Sequence, residues 1–294
     1  GNGTSNVGVG VKALQQLTNG SRNVAVGQEA LQLCSTSEDN VAVGYQCLEA
    51  SGAKFFNTAV GSKAGTSITT GTGNTLVGYL AGEDLGAGVN NVAIGYEALK
   101  SETSYGRNVA VGFSALATQN ASVHAYNVAL GYSAGGSVNT GKQNTLLGGK
   151  AGETLTTGEN NTLIGYTSSP SAVDVDNEIT LGNSSITALR CAVTSITSLS
   201  DARDKSEIKD LEYGLDFIDA LQPREFVWDN RAETTTEVDE DGNETEVEFY
   251  SANKGKKDFG FIAQEVQALD NDTLRLVYDE NPEKLELSYG KLVP

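Results

Sequence analysis

A short motif recurs through residues 1–182 at a nearly constant interval, and this regularity constrains the fold of the chain more than any other feature. The motif reads Asn, then Val or Thr, then any residue, then Val, Ile or Leu, then Gly, and it occurs ten times. Every step between copies is a 17-residue step except for one 19-residue step, between Asn108 and Asn127. A degenerate eleventh copy runs from Asn177 to Gly182. The leading asparagines of the ten copies are Asn6, Asn23, Asn40, Asn57, Asn74, Asn91, Asn108, Asn127, Asn144 and Asn161.

The residue types of the repeat predict one short strand per copy. The motif alternates and is rich in β-branched residues, as half-buried strands are. The glycine permits a turn or a close backbone approach. A 17-residue unit cannot bury an apolar face alone, whereas stacked units can. We therefore predict a mainly β fold, with a β-solenoid or β-roll shaft over residues 1–182, and leave open whether each chain forms its own coils or three chains interwind.

Two further positions of the repeat predict how the coils pack. A small residue follows the glycine by three positions; it is Ala in most copies and Cys47 in one. We expect Cys47 to be a small buried hydrophobic residue, as free cysteines often are. The asparagines recur at one place in each coil, so their side chains can form a ladder of hydrogen bonds. We assign this ladder a structural role and no chemistry.

The repeats resemble the head repeats of trimeric autotransporter adhesins and the repeats of many phage fibres, although those head repeats are shorter. The resemblance rests on the regular spacing and on the Asn-x-Ala-Val-Gly character of the unit. It implies a β-roll or β-solenoid that is often trimeric. A homotrimer is therefore the expected assembly.

Charge divides the chain near residue 200 and argues against several functions. The chain has 20 Lys and Arg residues, of which 11 follow residue 199, and 38 Asp and Glu residues, of which 25 follow it. The net charge of the whole chain is −18. An acidic chain does not attract phosphate backbones, so we expect no nucleic-acid binding. No apolar run approaches the roughly 20 residues that span a bilayer, so no membrane insertion is expected. Three cysteines and one histidine, His124, argue against a disulfide framework, a zinc site or a histidine triad, and no cofactor or metal is expected.

The remaining sequence predicts a linker and a small α+β domain. Residues 183–199 alternate apolar and polar residues and predict one or two strands. Residues 206–221 have helical spacing, interrupted by a glycine, and Pro223 should end that helix before a strand. Residues 233–250 predict a hairpin around Asp241-Gly242. Residues 260–269 predict a helix whose apolar face packs on the hairpin side.

Three sequence blocks in residues 200–294 resemble the intramolecular chaperone auto-processing domain found at the end of phage endosialidases, tail spikes and tail fibres. The first block is Ser200-Asp201-x-Arg203-x-Lys205 with the Gly214 to Trp228 segment after it. The second is Gly260 to Val266, and the third is Leu287 to Leu292. The family usually continues into a long trimer-forming helix, and the sequence stops at Pro294. We therefore expect the final helix to be missing and the chain to be a fragment or a processed product, since it also has no methionine.

The resemblance implies a self-cleaving serine peptidase that acts once, on its own chain. In the family, the serine attacks the peptide bond directly before it, so Ser200 would attack the Leu199 carbonyl. Lys205 would be the base, which requires a neutral amine. Arg203 would lower the pKa of Lys205 or would pair with an aspartate instead, and Asp201 would hold the turn.

Function follows from the two resemblances together. We expect a phage tail-fibre or tail-spike segment whose C-terminal domain drives trimeric assembly of the shaft and then releases itself at Leu199-Ser200. The protein would lie in the virion tail after assembly in the host cytoplasm, and it would bind a host surface glycan or protein receptor. The main alternative is a bacterial surface adhesin or receptor-binding stalk with a purely structural C-terminal domain. A glycan depolymerase is the third possibility, but no acidic cluster recurs in the repeats.

Overall fold

A computed structural model describes residues 3–50, 52, 54–190, 206, 214–229, 233–238, 244–249, 254–270, 274, 276–278 and 285–287. The chain divides into two compact units, Gly1–Asn183 and Ser184–Pro294.

The first unit is a stack of coils that share one parallel sheet. Each copy of the repeat contributes one three-residue strand, and each strand pairs with the strands of the preceding and following copies. The sheet order is therefore the sequence order, from the first strand to the eleventh. The strands are β1 (Val7–Val9), β2 (Val24–Val26), β3 (Val41–Val43), β4 (Thr58–Val60), β5 (Thr75–Val77), β6 (Val92–Ile94), β7 (Val109–Val111), β8 (Val128–Leu130), β9 (Thr145–Leu147), β10 (Thr162–Ile164) and β11 (Ile179–Leu181).

The repeat spacing sets the register of this sheet. Val24 lies beside Val41, its counterpart in the next copy of the repeat, and the same one-repeat offset recurs along the stack. The 19-residue step keeps the register, because Val109 pairs with Val128. The two extra residues are therefore absorbed between the strands. The predicted β-solenoid is confirmed, and its coils close within one chain.

Alternation along each strand separates the core from the outer face. The central residue of every strand from β2 to β10 is fully buried, as for Ala25, Leu76 and Leu163. The small residue three positions after the glycine is also buried in every copy from Ala30 to Ser168. Cys47 takes this position in its copy and has no exposed surface, which confirms the prediction that it is a small core residue. Burial raises the pKa of the Cys47 thiol to about 12.

The predicted asparagine ladder runs the length of the shaft and is confirmed. In each step the side-chain Oδ1 of one asparagine accepts the backbone N–H of the next, at 3.0 Å from Asn74 N to Asn57 Oδ1. The side-chain Nδ2 of Asn74 also donates to a backbone carbonyl, at 2.8 Å from that of Gly88. These bonds satisfy buried backbone groups at each turn, which an apolar core could not do.

The last step of the ladder differs from the sequence prediction. Glu178, not Asn177, occupies the ladder position of the eleventh copy, because the ladder residue stands four positions before the glycine and that glycine is Gly182. The backbone N–H of Glu178 donates to Asn161 Oδ1 at 2.9 Å. The Glu178 carboxylate accepts hydrogen bonds from the hydroxyl groups of Ser171 and Thr180, so it caps the ladder with local partners.

Glycine is required at the end of each strand by both conformation and space. Gly95 has a φ of +139°, which side chains rarely adopt. A Cβ atom on Gly95 would lie 2.3 Å from the carbonyl oxygen of Gly112 in the next coil. The glycine of the motif therefore permits the close approach of adjacent coils, as its position predicts.

Buried polar side chains cluster near the 19-residue step. Glu102 and Gln119 are fully buried at a repeat position that Ile68 and Leu85 fill in other coils. Glu102 Oε1 accepts the backbone N–H of Tyr105 at 3.2 Å, whereas Oε2 has no partner among the described residues. Burial raises the pKa of Glu102, and neighbouring backbone amides oppose this rise. A carboxyl in this environment favours its neutral form.

The linker predicted over residues 183–199 is described only in its first part, so one or two strands in this segment stay a prediction. Residues 183–190 contain no strand, and Ile186 and Leu189 are exposed. Alternation alone does not form a strand without a partner for its backbone groups. Residues 191–199 lie outside the described residues.

The described part of the second unit contains two short helices and three strand pairs. Its elements are α1 (Leu215–Ala220), β12 (Arg224–Val227), β13 (Glu233–Val238), β14 (Glu244–Phe249), β15 (Lys257–Gly260), α2 (Ala263–Asp270), β16 (Val277–Tyr278) and β17 (Glu286–Leu287). Antiparallel pairs join β12 to β15, β13 to β14 and β16 to β17. The predicted hairpin is confirmed in its strands, and its turn lies outside the described residues.

The structure describes only part of the first predicted helix, residues 206–221, and begins the second one three residues later than predicted. Helix α1 begins only after Gly214, and the residues before that glycine lie outside the described residues apart from Ser206. Helix α2 begins at Ala263 rather than at residue 260, because Gly260 is still paired with Arg224 in the β12–β15 sheet. Among the described residues, no helix is long and apolar enough to cross a membrane.

Candidate functional site

The predicted processing site lies outside the described residues. This applies to the cleavage bond Leu199-Ser200, to the candidate base Lys205 and to the supporting residues Asp201 and Arg203. The roles assigned to them therefore stay predictions. The described residues show instead how the other motif positions of the same domain are organised.

The second sequence block, Gly260 to Val266, forms the turn from strand β15 into helix α2. Val266 belongs to a small core with Leu276 and Val277, and its side chain is almost fully buried. Phe261 and Phe217 pack at the edge of this core. The block therefore carries residues that fix α2 against the C-terminal strands, and its apolar face contacts the segment around β16.

An ion pair joins strand β12 to this helix. The Arg224 guanidinium donates two hydrogen bonds to the Glu265 carboxylate, with Nε–Oε2 at 3.0 Å and Nη2–Oε1 at 2.8 Å. The hydrogen bonds raise the pKa of Arg224 and lower the pKa of Glu265. Both side chains are close to half exposed, so the pair orients α2 on β12 more than it stabilises the fold. A bidentate geometry gives this orientation.

The aromatic residues of the first block hold the other end of the same strand pair. Trp228 donates its indole N–H to Asp258 Oδ2 at 3.2 Å, and its backbone N–H donates to the Lys256 carbonyl at 2.9 Å. The Phe226 and Trp228 rings meet edge to face, with centroids 5.2 Å apart. Motif residues at 224–228 and 258–266 therefore form one connected framework.

A cavity of about 270 Å³ opens beside this framework. Leu221, Ile262 and Leu269 line its apolar wall, and Arg224 and Glu265 line its polar side. Because Arg224 and Glu265 bind each other, the described lining of the cavity offers no free nucleophile or base. Within the described residues, no group of three or more His, Cys, Asp or Glu side chains could hold a metal ion.

The outer face of the shaft sheet is a second candidate surface. The first and third residues of every strand point away from the core, and none of them is buried. They are Val, Ile, Leu or Thr in all eleven strands, so the face carries no charge within the described strands. Leu130 remains 53% exposed on this face. A continuous apolar surface of this kind marks a candidate interaction site.

An aromatic column runs along the shaft beside this face, and the sequence reasoning missed it. Tyr79, Tyr96, Phe113 and Tyr132 follow the glycine of four successive copies. Their rings stack with centroids 5.3, 5.0 and 5.2 Å apart. The signal was available, because these residues occupy the same position of the repeat. Since their faces contact one another, the column presents ring edges to the surroundings.

Comparison with known proteins finds a similarity in the C-terminal region. Residues 200–275 match the peptidase family described as chaperone of endosialidase. The match begins at Ser200 and covers less than half of the chain. No curated protein and no solved structure matches the chain.

The family match confirms the resemblance that the sequence blocks predicted. Its peptidase character implies, in general terms, a self-cleaving activity for the C-terminal region. The chain thus combines a β-solenoid shaft with a region similar to the chaperone of endosialidase. This organisation is consistent with a tail fibre that carries a C-terminal chaperone domain.

Proposed function

We propose that this chain is part of a trimeric phage tail fibre or tail spike, whose C-terminal domain assembles three shafts and then cuts itself off between Leu199 and Ser200. The observation that carries the proposal is the family match that begins at Ser200, on the C-terminal side of a β-solenoid shaft. The shaft would remain in the virion tail and would meet the host surface there.

The outer sheet face supports the trimer. Eleven strands spaced by about 4.8 Å give a face roughly 48 Å long. Three residues at about 3.3 Å each give a width of roughly 10 Å, hence an area of roughly 500 Å². This is at the upper end of the apolar patches found on monomers, and the aromatic column widens it further. In a trimer, the same face of two further chains would pack against this surface and remove it from water.

The proposed cleavage uses a serine and a lysine because the only histidine of the sequence, His124, belongs to the shaft. A neutral Lys205 takes the proton from the Ser200 hydroxyl, and the oxygen attacks the Leu199 carbonyl carbon. The bond from that carbon to the Ser200 nitrogen breaks, and Lys205 returns the proton to the leaving nitrogen. Water then hydrolyses the ester, which leaves a shaft ending at Leu199 and a fragment beginning with Ser200.

The order of events explains why a removable domain is useful. Three separate chains must meet and align along the whole shaft, so unassisted assembly is slow and depends on concentration. A C-terminal domain that associates first sets a common register for the three shafts. Its removal after folding leaves a shaft that is stable because it unfolds slowly.

The dyad is tested by substitution in the full-length protein. Ser200→Ala removes the nucleophile, and Lys205→Arg replaces the base with a group that stays protonated. Both variants should remain intact, whereas the wild type should release a fragment whose first residue is Ser200. Ser206→Ala and Lys209→Arg are matched controls in the same segment and should cleave as the wild type does. The measurement is gel electrophoresis followed by N-terminal sequencing of the fragment.

The outcome separates this function from the alternative. Cleavage that persists in Ser200→Ala, or that maps to another bond, would refute the dyad. A wild-type protein that forms trimers and stays intact would instead favour a receptor-binding stalk with a structural C-terminal domain.

A further inference from the structure

Two neighbouring coils of the shaft depart from the repeat in a complementary way. Cys34 takes a core position that larger apolar residues fill in other coils, such as Ile68, Leu85 and Leu155. Lys54 lies in the following coil, at the position that Ser37 takes in the coil before it and Gly71 takes in the coil after it. The smaller side chain leaves room in the core, and the lysine side chain fills it. Both Cys34 and Lys54 are fully buried.

The amine of Lys54 and the sulfur of Cys34 are in direct contact. The Nζ–Sγ distance is 2.9 Å. Nζ also donates to the carbonyl oxygen of Ala50. The Cys34 sulfur lies 3.6 Å from the carbonyl oxygens of Leu48 and Ala50. The contact is therefore held in place by two adjacent coils, each of which supplies one of its members.

The surroundings of Lys54 favour the neutral form of its amine, which is the reactive form. Burial lowers the pKa of Lys54, while the nearby Cys34 and Glu49 oppose this change. A neutral amine has a free electron pair and is a nucleophile, whereas an ammonium group is not. Cys47, the other buried cysteine of the described residues, has the Ala59 carbonyl at 3.3 Å from its sulfur instead of an amine.

We propose that Cys34 and Lys54 form a reversible covalent cross-link between two coils of the shaft when the protein meets a peroxide. The link is a sulfenamide, a bond from Cys34 Sγ to Lys54 Nζ. The juxtaposition of the two atoms in the core carries this inference, because the reaction needs them in contact and needs no other protein group.

The reaction balances with one hydrogen peroxide as the oxidant. Lys54 takes the thiol proton, and the thiolate attacks one peroxide oxygen, which gives a sulfenic acid and hydroxide. The hydroxide removes the extra proton from the ammonium and leaves as water. The neutral amine then attacks the sulfur and displaces hydroxide, which takes one amine proton and leaves as a second water. The sulfur is oxidised, the peroxide is reduced, and the protein loses two hydrogen atoms.

A cross-link at this place would stabilise the shaft outside the cell. It closes a loop across two coils, which restricts the unfolded chain as a disulfide does. Thiol-rich cytoplasm would keep the pair reduced during folding, and an oxidising exterior would permit the link. Peroxide is small enough to reach the pair through local opening of the coils.

The test uses the complete chain with Cys47→Ala and Cys191→Ser, so that Cys34 is the only thiol. The protein is treated with hydrogen peroxide, unfolded in acid and digested with trypsin without a reductant. Trypsin normally cuts after Arg22, Lys54 and Lys63. We expect cutting after Lys54 to be blocked, which leaves a peptide of residues 23–63 that is about 2 Da lighter than the unmodified sequence. Dithiothreitol should restore the mass and the cut.

Lys54→Met in the same background keeps an unbranched side chain, shorter only by the terminal nitrogen, and removes the amine. We expect no loss of about 2 Da in this variant. Full cutting after Lys54 with Cys34 still a thiol, or Cys34 heavier by about 32 Da as a sulfinic acid, would overturn the proposal. Both of these outcomes are measured on the protein that keeps Lys54. The proposal can therefore be tested even if Lys54→Met does not fold.

Discussion

Removal of one asparagine from the middle of the ladder should destabilise the shaft strongly. Asn74 is 1% exposed, and its Oδ1 accepts the backbone N–H of Asn91 at 2.9 Å. Its Nδ2 donates to the Gly88 carbonyl at 2.8 Å. Asn74→Ala leaves both of these buried backbone groups without a partner. Each such group costs about 1–3 kcal/mol, so the free energy of unfolding should fall by about 2–6 kcal/mol.

The assay is urea-induced unfolding followed by circular dichroism, with Asn139→Ala as the matched control. Asn139 is exposed, so its removal should change the free energy of unfolding by no more than about 0.5 kcal/mol. A loss for Asn74→Ala that is no greater than the loss for Asn139→Ala would show that the ladder does not hold the coils together.

A second substitution at the same place separates the acceptor from the donor. Asn74→Asp keeps an oxygen for the Asn91 N–H but turns a second oxygen towards the Gly88 carbonyl. A protonated carboxyl can donate to that carbonyl, whereas a buried carboxylate cannot. The folded-state pKa of this aspartate should be raised, so stability should be lost as the pH rises through that raised value. Equal stability of Asn74→Asp at acidic and neutral pH, relative to the wild type, would contradict this explanation.

Three further predictions concern other parts of the shaft. Gly95→Ala should lower the free energy of unfolding by at least about 1–3 kcal/mol, because Gly95 has a positive φ. Gly136→Ala should have little effect in the same unfolding assay, because a Cβ atom on Gly136 would make only ordinary contacts. Because the pKa of Glu102 is raised in the folded protein, its contribution to stability is present below its unfolded pKa and is lost as the pH rises through its folded pKa. The melting temperature should therefore fall between acidic and neutral pH, and Glu102→Gln should make this fall smaller. Ile94→Asp on the outer sheet face should prevent trimer formation, as measured by light scattering. Thr70→Asp, at an exposed position outside the strands, should still form trimers. Trimers of Ile94→Asp would show that another surface holds the assembly together.

The repeat made most of the shaft predictable because one physical rule applies at every coil. Strand position, the buried small residue and the ladder all follow from the 17-residue period, and Val24 beside Val41 is its direct consequence. Residue type alone predicts Asn177 as the start of the eleventh copy, which is one residue too early. Counting four residues back from Gly182 gives Glu178, which makes the backbone contact of the ladder.

Pairs of residues that depart from the repeat were harder to predict. Cys34 and Lys54 belong to different copies of the repeat, and only the coil geometry shows that one fills the space left by the other. The sequence pattern predicts the start of helix α2 at Gly260, which is too early, because the pattern does not reveal that this glycine is still paired with Arg224. The roles of Ser200 and Lys205 rest on the family resemblance and remain predictions.

Native mass spectrometry of the purified full-length protein tests the central proposal most directly, because one spectrum reports both assembly and processing. We predict a particle of three chains, each of which ends at Leu199 and lacks the C-terminal domain. A single chain that still carries this domain, or three chains that all remain uncut after folding, would contradict the proposed assembly and self-release.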